Sequence, residues 1–139
     1  PCALGNSAGR RQYKFTSSGN LIMASTLLLD TLAWDLAVDA AGNIAVATEP
    51  YSLAQDAASA IRLFKGELYY DTSQGIPYFN QILGQAPPIS LIKSYFVNAA
   101  LTVPGVVKAR CFITSWTDRV ITGQVQVEDA NGNVSAAGF

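Results

Sequence analysis

The chain is predicted to be an α+β domain, a small mixed sheet with two main helices, in the order strand, strand, helix, strand, short helix, helix, strand, strand. Three observations predict it. Segments toward both ends alternate apolar and polar residues with period two, two segments between them carry apolar residues at spacings of three and four, and proline or glycine marks most junctions. At 139 residues, half of them apolar, the chain suits one soluble globular domain, since a second independent core needs more length.

Residues 1–22 differ in kind from the rest, with Arg10, Arg11 and Lys14 but no acidic residue. Met23 is the only methionine, and Met23-Ala24-Ser25 reads as an ordinary protein start. Residues 1–22 are therefore expected to be a vector-derived or mis-called upstream extension, outside the fold. A secretory signal is the competing reading, but no continuous apolar run of about 7–15 residues follows Arg11. From Met23 onward there are 6 basic and 10 acidic residues, a net charge of −4.

The domain is expected over residues 23–128. Trp34, Leu36 and Val38 alternate with Asp35, Ala37 and Asp39, which predicts a half-buried strand. Ala40-Ala41-Gly42-Asn43 supplies a turn, and Ile44 to Thr48 returns as the second strand of a hairpin. Thr48, Glu49, Pro50 and Ser52 then crowd a helix start. Leu53, Ala57, Ala60, Ile61 and Phe64 form its apolar stripe, and Gly66 suits the left-handed position after it. Leu68-Tyr69-Tyr70 predicts a short strand, and Tyr78 to Leu83 a short helical turn beyond Gly75 and Pro77. Pro87-Pro88 opens a second helix, with Ile89, Ile92, Phe96, Ala99 and Val103 on one face, and Pro104-Gly105 stops it. Two strands close the domain. Val107, Ala109, Cys111 and Ile113 share one face of the first, with Lys108, Arg110, Phe112 and Thr114 on the other. Trp116-Thr117-Asp118-Arg119 turns the chain, and Ile121, Gly123, Val125 and Val127 alternate with Thr122, Gln124, Gln126 and Glu128. Residues 129–139 lack periodicity and are expected to be a flexible arm, or one that orders on a partner.

Composition removes most chemistries. There is no histidine, so Ser-His and Cys-His nucleophile pairs and histidine-ligated metals are excluded. Cys2 and Cys111 fit neither a disulfide framework nor a zinc site, which makes reducing, cytoplasmic conditions the default. Cys111, alternating on a strand, reads as a core side chain. No glycine-rich phosphate loop, clustered basic stripe or membrane-length apolar run exists, so no cofactor, no nucleic acid and no membrane partner is expected. One enzymatic reading survives, because a glycosidase needs only two carboxylates and Glu67 and Asp71 flank the predicted strand Leu68–Tyr70. On an extended segment, however, they lie about 13 Å apart at roughly 3.3 Å per residue, beyond the approximately 5–9.5 Å such mechanisms use. They read as solvated surface carboxylates.

The connector from Gly66 to Gly84 holds Tyr69, Tyr70, Tyr78 and Phe79 around Gly75 and Pro77, with few charges. Aromatic, charge-poor segments of this kind serve either core packing or protein interfaces.

The helix Ser52–Phe64, with Gln55-Asp56 and Ala60-Ile61-Arg62-Leu63-Phe64, leads into Lys65-Gly66-Glu67 and the connector Asp71 to Gly84. The second helix then runs to Val103-Pro104-Gly105-Val106, and the closing hairpin contains Thr122-Gly123-Gln124-Val125. In this order the segments, covering roughly Trp34 to Glu128, resemble the baseplate wedge proteins of contractile-tailed bacteriophages. That family is historically called tail-lysozyme-like and has relatives in type VI secretion baseplates. Many members carry a Glu-Arg pair after the connector glycine, whereas this chain has Ile76-Pro77 after Gly75. The resemblance implies a structural subunit of the virion's inner baseplate, assembled in the host cytoplasm, that packs on larger wedge subunits. It also implies that the closing hairpin templates the first ring of tail-sheath protein, with tube or hub proteins as further neighbours. Peptidoglycan hydrolysis is the alternative function that the family's old name carries. Interface residues expected on this reading are Tyr69, Tyr70, Gly75, Pro77, Tyr78 and Phe79 in the connector and Arg110, Phe112, Trp116, Arg119, Gln124 and Gln126 in the hairpin.

Overall fold

The three-and-four spacing of Leu53, Ala57 and Ile61 becomes one buried stripe on helix α1 (Tyr51–Arg62), completed by Ala54 and Ala58. The computed structural model describes residues 25–117 and 120–139; the expected extension of residues 1–22 lies outside them, as do Asp118 and Arg119. Before α1 come the short strands β1 (Ser25–Leu27) and β2 (Val46–Thr48). After it come a single π-helical turn (Tyr78–Ile82), helix α2 (Ile89–Leu101) and strands β3 (Val106–Thr117), β4 (Val120–Asp129) and β5 (Val134–Gly138). The α+β class and the order of elements agree with the sequence. The strands divide into two antiparallel sheets, β1-β2 and β3-β4-β5 with β4 in the centre.

The core lies between the helices and one face of the three-stranded sheet. Phe96 and Ile92 of α2 and Ile61 of α1 meet Cys111, Val125, Val127 and Ala137 from the strands. Burying each large aliphatic or aromatic side chain contributes about 1.5–3 kcal/mol. The inward face of β4 follows the predicted alternation through Ile121, Gly123, Val125 and Val127. On β3 the alternation slips, because register shifts occur between Val106 and Lys108 and between Ile113 and Ser115. Each such bulge adds an unpaired residue and changes which side chains face inward. Val106 therefore packs on the core while Val107, expected on the inner face, is exposed. On α2 the buried positions are Ile92, Phe96 and Ala100, and Ile89 is largely exposed.

Three local expectations differ from the structure. First, Trp34 to Asp39 is not a strand; Leu36 and Val38 make only single bridges, to Leu29 and Ile44. The Asp30 carboxylate accepts from the amides of Leu32 and Ala33, at 2.9 and 2.7 Å, and Trp34 turns through a positive φ of 53°. That turn breaks the extended run, and β2 pairs instead with Ser25–Leu27. Second, Leu68–Tyr70 forms no strand. The extended piece between the helices is the single parallel bridge Phe64–Ile76, and α1 stops at Arg62 because Leu63 and Lys65 are drawn into hydrogen bonds with Ile76. Third, the arm expected at 129–139 contributes β5, which pairs with β4 from Glu128–Val134 to Gln124–Gly138. The Asp129 carboxylate organises the intervening turn, accepting from the amides of Asn131 and Asn133, and Gly132 takes a positive φ of 84°.

Gln55 joins the two sheets through α1. Its side chain is 1% exposed, and its amide accepts from Leu29 N at 2.9 Å and donates to Leu27 O at 2.7 Å. Both hydrogen bonds fasten the end of β1 to the helix, satisfying a buried side-chain amide and two backbone groups together. On the far side of the core Phe139 closes the sheet. It exchanges backbone hydrogen bonds with Gly123, and its ring meets Phe96 edge to face at 5.0 Å.

Gly123 is required by this closure. A Cβ there would sit 2.2 Å from Phe112 O and 2.8 Å from Phe139 Cζ. Gly123→Ala is expected to lose about 1–3 kcal/mol of stability, as overpacking of a closed core does, read as a lower urea midpoint at unchanged m-value.

Candidate functional site

The uncovered face of the three-stranded sheet is built by period-two alternation. With Ala109, Cys111 and Ile113 turned to the helices, Lys108, Arg110 and Phe112 point the other way. The register sets Arg110 opposite Gln126 and Phe112 opposite Gln124, and beside them Lys108 Nζ meets Glu128 Oε1 at 2.7 Å. Four of the expected interface residues thus share one exposed surface. Trp116 does not join them. After the second bulge it pairs with Ile121, whose side is that of the core. Arg119 lies outside the described residues.

This face has an open border. β4 is hydrogen-bonded on both sides, but β3 is a 12-residue edge strand and β5 a five-residue one. An edge strand presents unpaired N–H and C=O groups that accept another chain.

The connector holds the second group of expected residues and divides them. Gly75 turns with φ 96°, so that Ile76 N donates to Leu63 O at 3.0 Å and Lys65 N donates to Ile76 O at 2.9 Å. Tyr78 points inward, donating its hydroxyl to Ile61 O at 2.5 Å and packing its ring on Phe64 and, more distantly, Phe96. Burial pushes the Tyr78 hydroxyl well above the usual phenol range. Gly75, Pro77 and Tyr78 therefore form the scaffold of the connector. Tyr69 (98% exposed), Tyr70 and Phe79 are its outward aromatics. Ile76 is buried, so the position after Gly75 takes an apolar packing role. Between the connector, α1 and α2 lies an open groove of about 580 Å³, floored by Ala60, Leu63, Ile76 and Ala99, with Lys65 its only charged lining residue.

Glu67 and Asp71 are committed to local hydrogen bonds. Glu67 accepts from Phe64 N through Oε2 at 3.1 Å, and Asp71 accepts from Ser73 and Gln74. Those hydrogen bonds from Ser73 and Gln74 hold the Asp71 carboxyl below its ordinary value, opposite to the rise a general acid requires. Burial pushes the Cys111 thiol up to about 11, which disfavours the thiolate a nucleophile needs. Among the described residues no group of three or more Cys, Asp or Glu could hold a metal. No helix there is long and apolar enough to cross a membrane.

A sequence model of contractile injection system sheath initiators matches residues 25–132. The chain belongs to that family. The matched span contains both surfaces, the connector and the β3-β4 hairpin. A search of curated proteins returned no match. Membership makes the chain a structural component associated with contractile-tail machinery, which agrees with the baseplate resemblance at that level.

Sequence reasoning missed two features of this sheath-initiator fold. β5 was signalled by Asn131-Gly132 between Val127 and Val134, a strong short-range hairpin cue. The exposure of Leu36 and Val38 carried no such signal, because the same alternation describes a buried and an exposed face equally.

Two outcomes are expected. Gly75→Ala places a Cβ 2.6 Å from Phe64 backbone atoms at a positive φ, whereas Gly66→Ala meets nothing within 4 Å. The first is expected to cost about 2–4 kcal/mol and expose the Lys65 and Ile76 amides to hydrogen exchange, and the second about 1 kcal/mol. The raised Cys111 value leaves its contribution intact below pH 9 and removes it as pH rises toward about 11, where the unfolded thiol ionises before the native one. Cys111→Ala is therefore expected to flatten the loss of stability between pH 9 and 11, measured by urea melts across that window.

Proposed function

We propose that this protein is an inner-baseplate wedge subunit that starts sheath assembly by offering the β3 edge of its sheet to the first ring of sheath subunits. The observation that carries the reading is a long edge strand bordering an uncovered face, in a chain of the sheath-initiator family. A partner strand added to β3 gains main-chain hydrogen bonds, and side chains read its identity. On that face Arg110, Phe112, Gln124 and Gln126 are the specificity residues, with Trp116 near the end of β3. β4 is central and cannot receive a strand along its paired length.

On the same reading the connector docks larger wedge subunits. Tyr69, Tyr70 and Phe79 are the contact side chains, and Gly75, Pro77 and Tyr78 hold them in place. Tyrosines supply large rigid contact area at low entropic cost, which suits an interface. Phe79 stays partly tethered through its ring contact with Phe64 at 5.2 Å. The assembled location is the virion's tail baseplate, with tube or hub proteins as further neighbours. The peptidoglycan-hydrolysing alternative has no supporting observation in the geometry of Glu67 and Asp71.

A hairpin deletion is a poor test, because Val125, Val127 and Ala137 belong to the core. The useful variants are Arg110→Glu and Phe112→Lys, whose side chains face away from it. Mixed with the sheath protein of the same contractile system, the wild type is expected to shorten the lag of sheath polymerisation. The double variant, folded by circular dichroism, is expected to need at least roughly tenfold more protein for the same lag, equivalent to about 1.4 kcal/mol. Equal seeding by both proteins would rule the reading out.

A further inference from the structure

The direction of the main-chain groups along β3 is fixed by its neighbour. Gly123 of β4 spends both its N–H and its C=O on Phe139, on the β5 side, at 3.3 and 3.0 Å. In an antiparallel ladder the N–H and C=O of one residue point the same way and successive residues alternate. Gly123, Val125 and Val127 therefore bond toward β5, and Gln124, Gln126 and Glu128 toward β3. The register sets those last three opposite Phe112, Arg110 and Lys108. The intervening residues Ala109, Cys111 and Ile113 then turn their side chains to the core and their N–H and C=O groups to the open edge. A register shift lies beyond each end of this stretch, so the regular edge runs from Lys108 to Ile113.

Charge says what kind of strand fits. From Thr72 to Thr117 the chain has Lys93, Lys108 and Arg110 and no aspartate or glutamate. Lys108 is matched by Glu128 at 2.7 Å, whereas Arg110 and Lys93, both exposed, form no ion pair among the described residues. Arg110 stands on the open face of β3. Lys93 stands on the other side of the edge. Helix α2 packs mainly on β3, and α1 on β4 and β5. Tyr95, Asn98, Ala99 and Thr102 line the groove that α2 shares with α1 and the connector. At about 3.6 residues per turn Lys93 and Val97 fall on the opposite flank of α2, the one nearest the β3 edge. The Cys111 thiol agrees with that placement: burial raises it, and the Lys93 ammonium opposes the rise.

A strand entering this edge meets two unlike sides. Toward the helices it borders Val97, Cys111 and Ile113, all packed in or against the core. On the open face it borders Arg110. Its own alternation must then be apolar toward α2 and acidic toward Arg110, because cross-strand pairs are favourable between opposite charges and unfavourable between like ones. A second copy added edge to edge would bring its Arg110 and Lys93 toward those of the first, a repulsive arrangement.

Given the strand addition proposed above, we infer that the β3 edge from Lys108 to Ile113 takes an extended segment of the sheath protein that alternates apolar and acidic residues. Its carboxylates face Arg110, and its apolar side chains lie beside Val97. Lys93, at the rim on the helix side, raises the positive potential of the edge and speeds encounter with an acidic chain.

The test uses the full chain and three capped peptides of roughly eight residues, the length of an ordinary strand. One alternates valine with glutamate, one alternates valine with lysine, and the third is the glutamate peptide N-methylated throughout, which keeps its charge and loses its backbone donors. The glutamate peptide is expected to bind at least about tenfold tighter than the lysine peptide, and more weakly as salt rises. It is also expected to slow hydrogen exchange at the amides of Ala109, Cys111 and Ile113, and to leave Arg110 and Phe112, already bonded to β4, unchanged. Arg110→Glu is expected to swing the preference toward the lysine peptide by about tenfold or more. Equal binding of the glutamate and lysine peptides, with the same three amides protected, overturns the acidic partner and leaves strand addition standing. Equal binding of the N-methylated peptide, or no slowing at those amides, removes strand addition and the acidic partner together. Protection of the three amides in the peptide-free chain as its concentration rises assigns the edge to a second copy and overturns the proposal.

Discussion

Every other element depends on the close burial of α1. Its alanines at 54, 57 and 58 have no exposed surface, and the helix packs against both strands of the small sheet, against α2, and against β4 and β5. Small side chains permit that approach, because a helix flanked on several sides has little radial space to give. Gln55 lies on the same helix, its amide bonded to Leu27 O of β1 and to Leu29 N just beyond it. An apolar residue there would remove the partner of Leu27 O in β1 and of Leu29 N just beyond it, so a polar atom in the core is the lower-energy solution.

The burial of α1 explains where the exposed surfaces lie. The helices cover one face of the three-stranded sheet and leave the other in water. The connector leaves α1 at Leu63 and is pulled back by Ile76, so Tyr69 and Tyr70 project from a loop whose ends are fastened. Tyr78 turns inward to satisfy the Ile61 carbonyl near the end of α1. Rigid placement of exposed aromatic residues reduces the ordering cost of association, which is where small interfaces lose most affinity.

Charge is distributed along the same lines. The segment from Ser25 to Ile61 is purely acidic where carboxylates and cations are compared, whereas the hairpin face carries Arg110 beside the Lys108–Glu128 ion pair.

Much of the fold was legible in the residues. Leu53, Ala57 and Ile61 specify α1, Pro87-Pro88 and Pro104-Gly105 bracket α2, and the β4 alternation of Val125 and Val127 names its inward face. Arg110, Phe112, Gln124 and Gln126 were identifiable as one surface because period two is a local property of a paired strand. The order of the connector and hairpin likewise pointed to contractile-tail machinery. Tertiary structure alone decided that Val107 faces out and Trp116 leaves the shared face, since bulges arise from pairing. It also decided that Leu68–Tyr70 is a loop, because the Phe64–Ile76 bridge competes for the same stretch of chain. Likewise it placed residues 134–138 beside β4, where Phe139 gains a ring contact with Phe96, a residue over forty positions away. Periodicity along a chain records which side chains share a face; which face meets the core depends on partners distant in sequence.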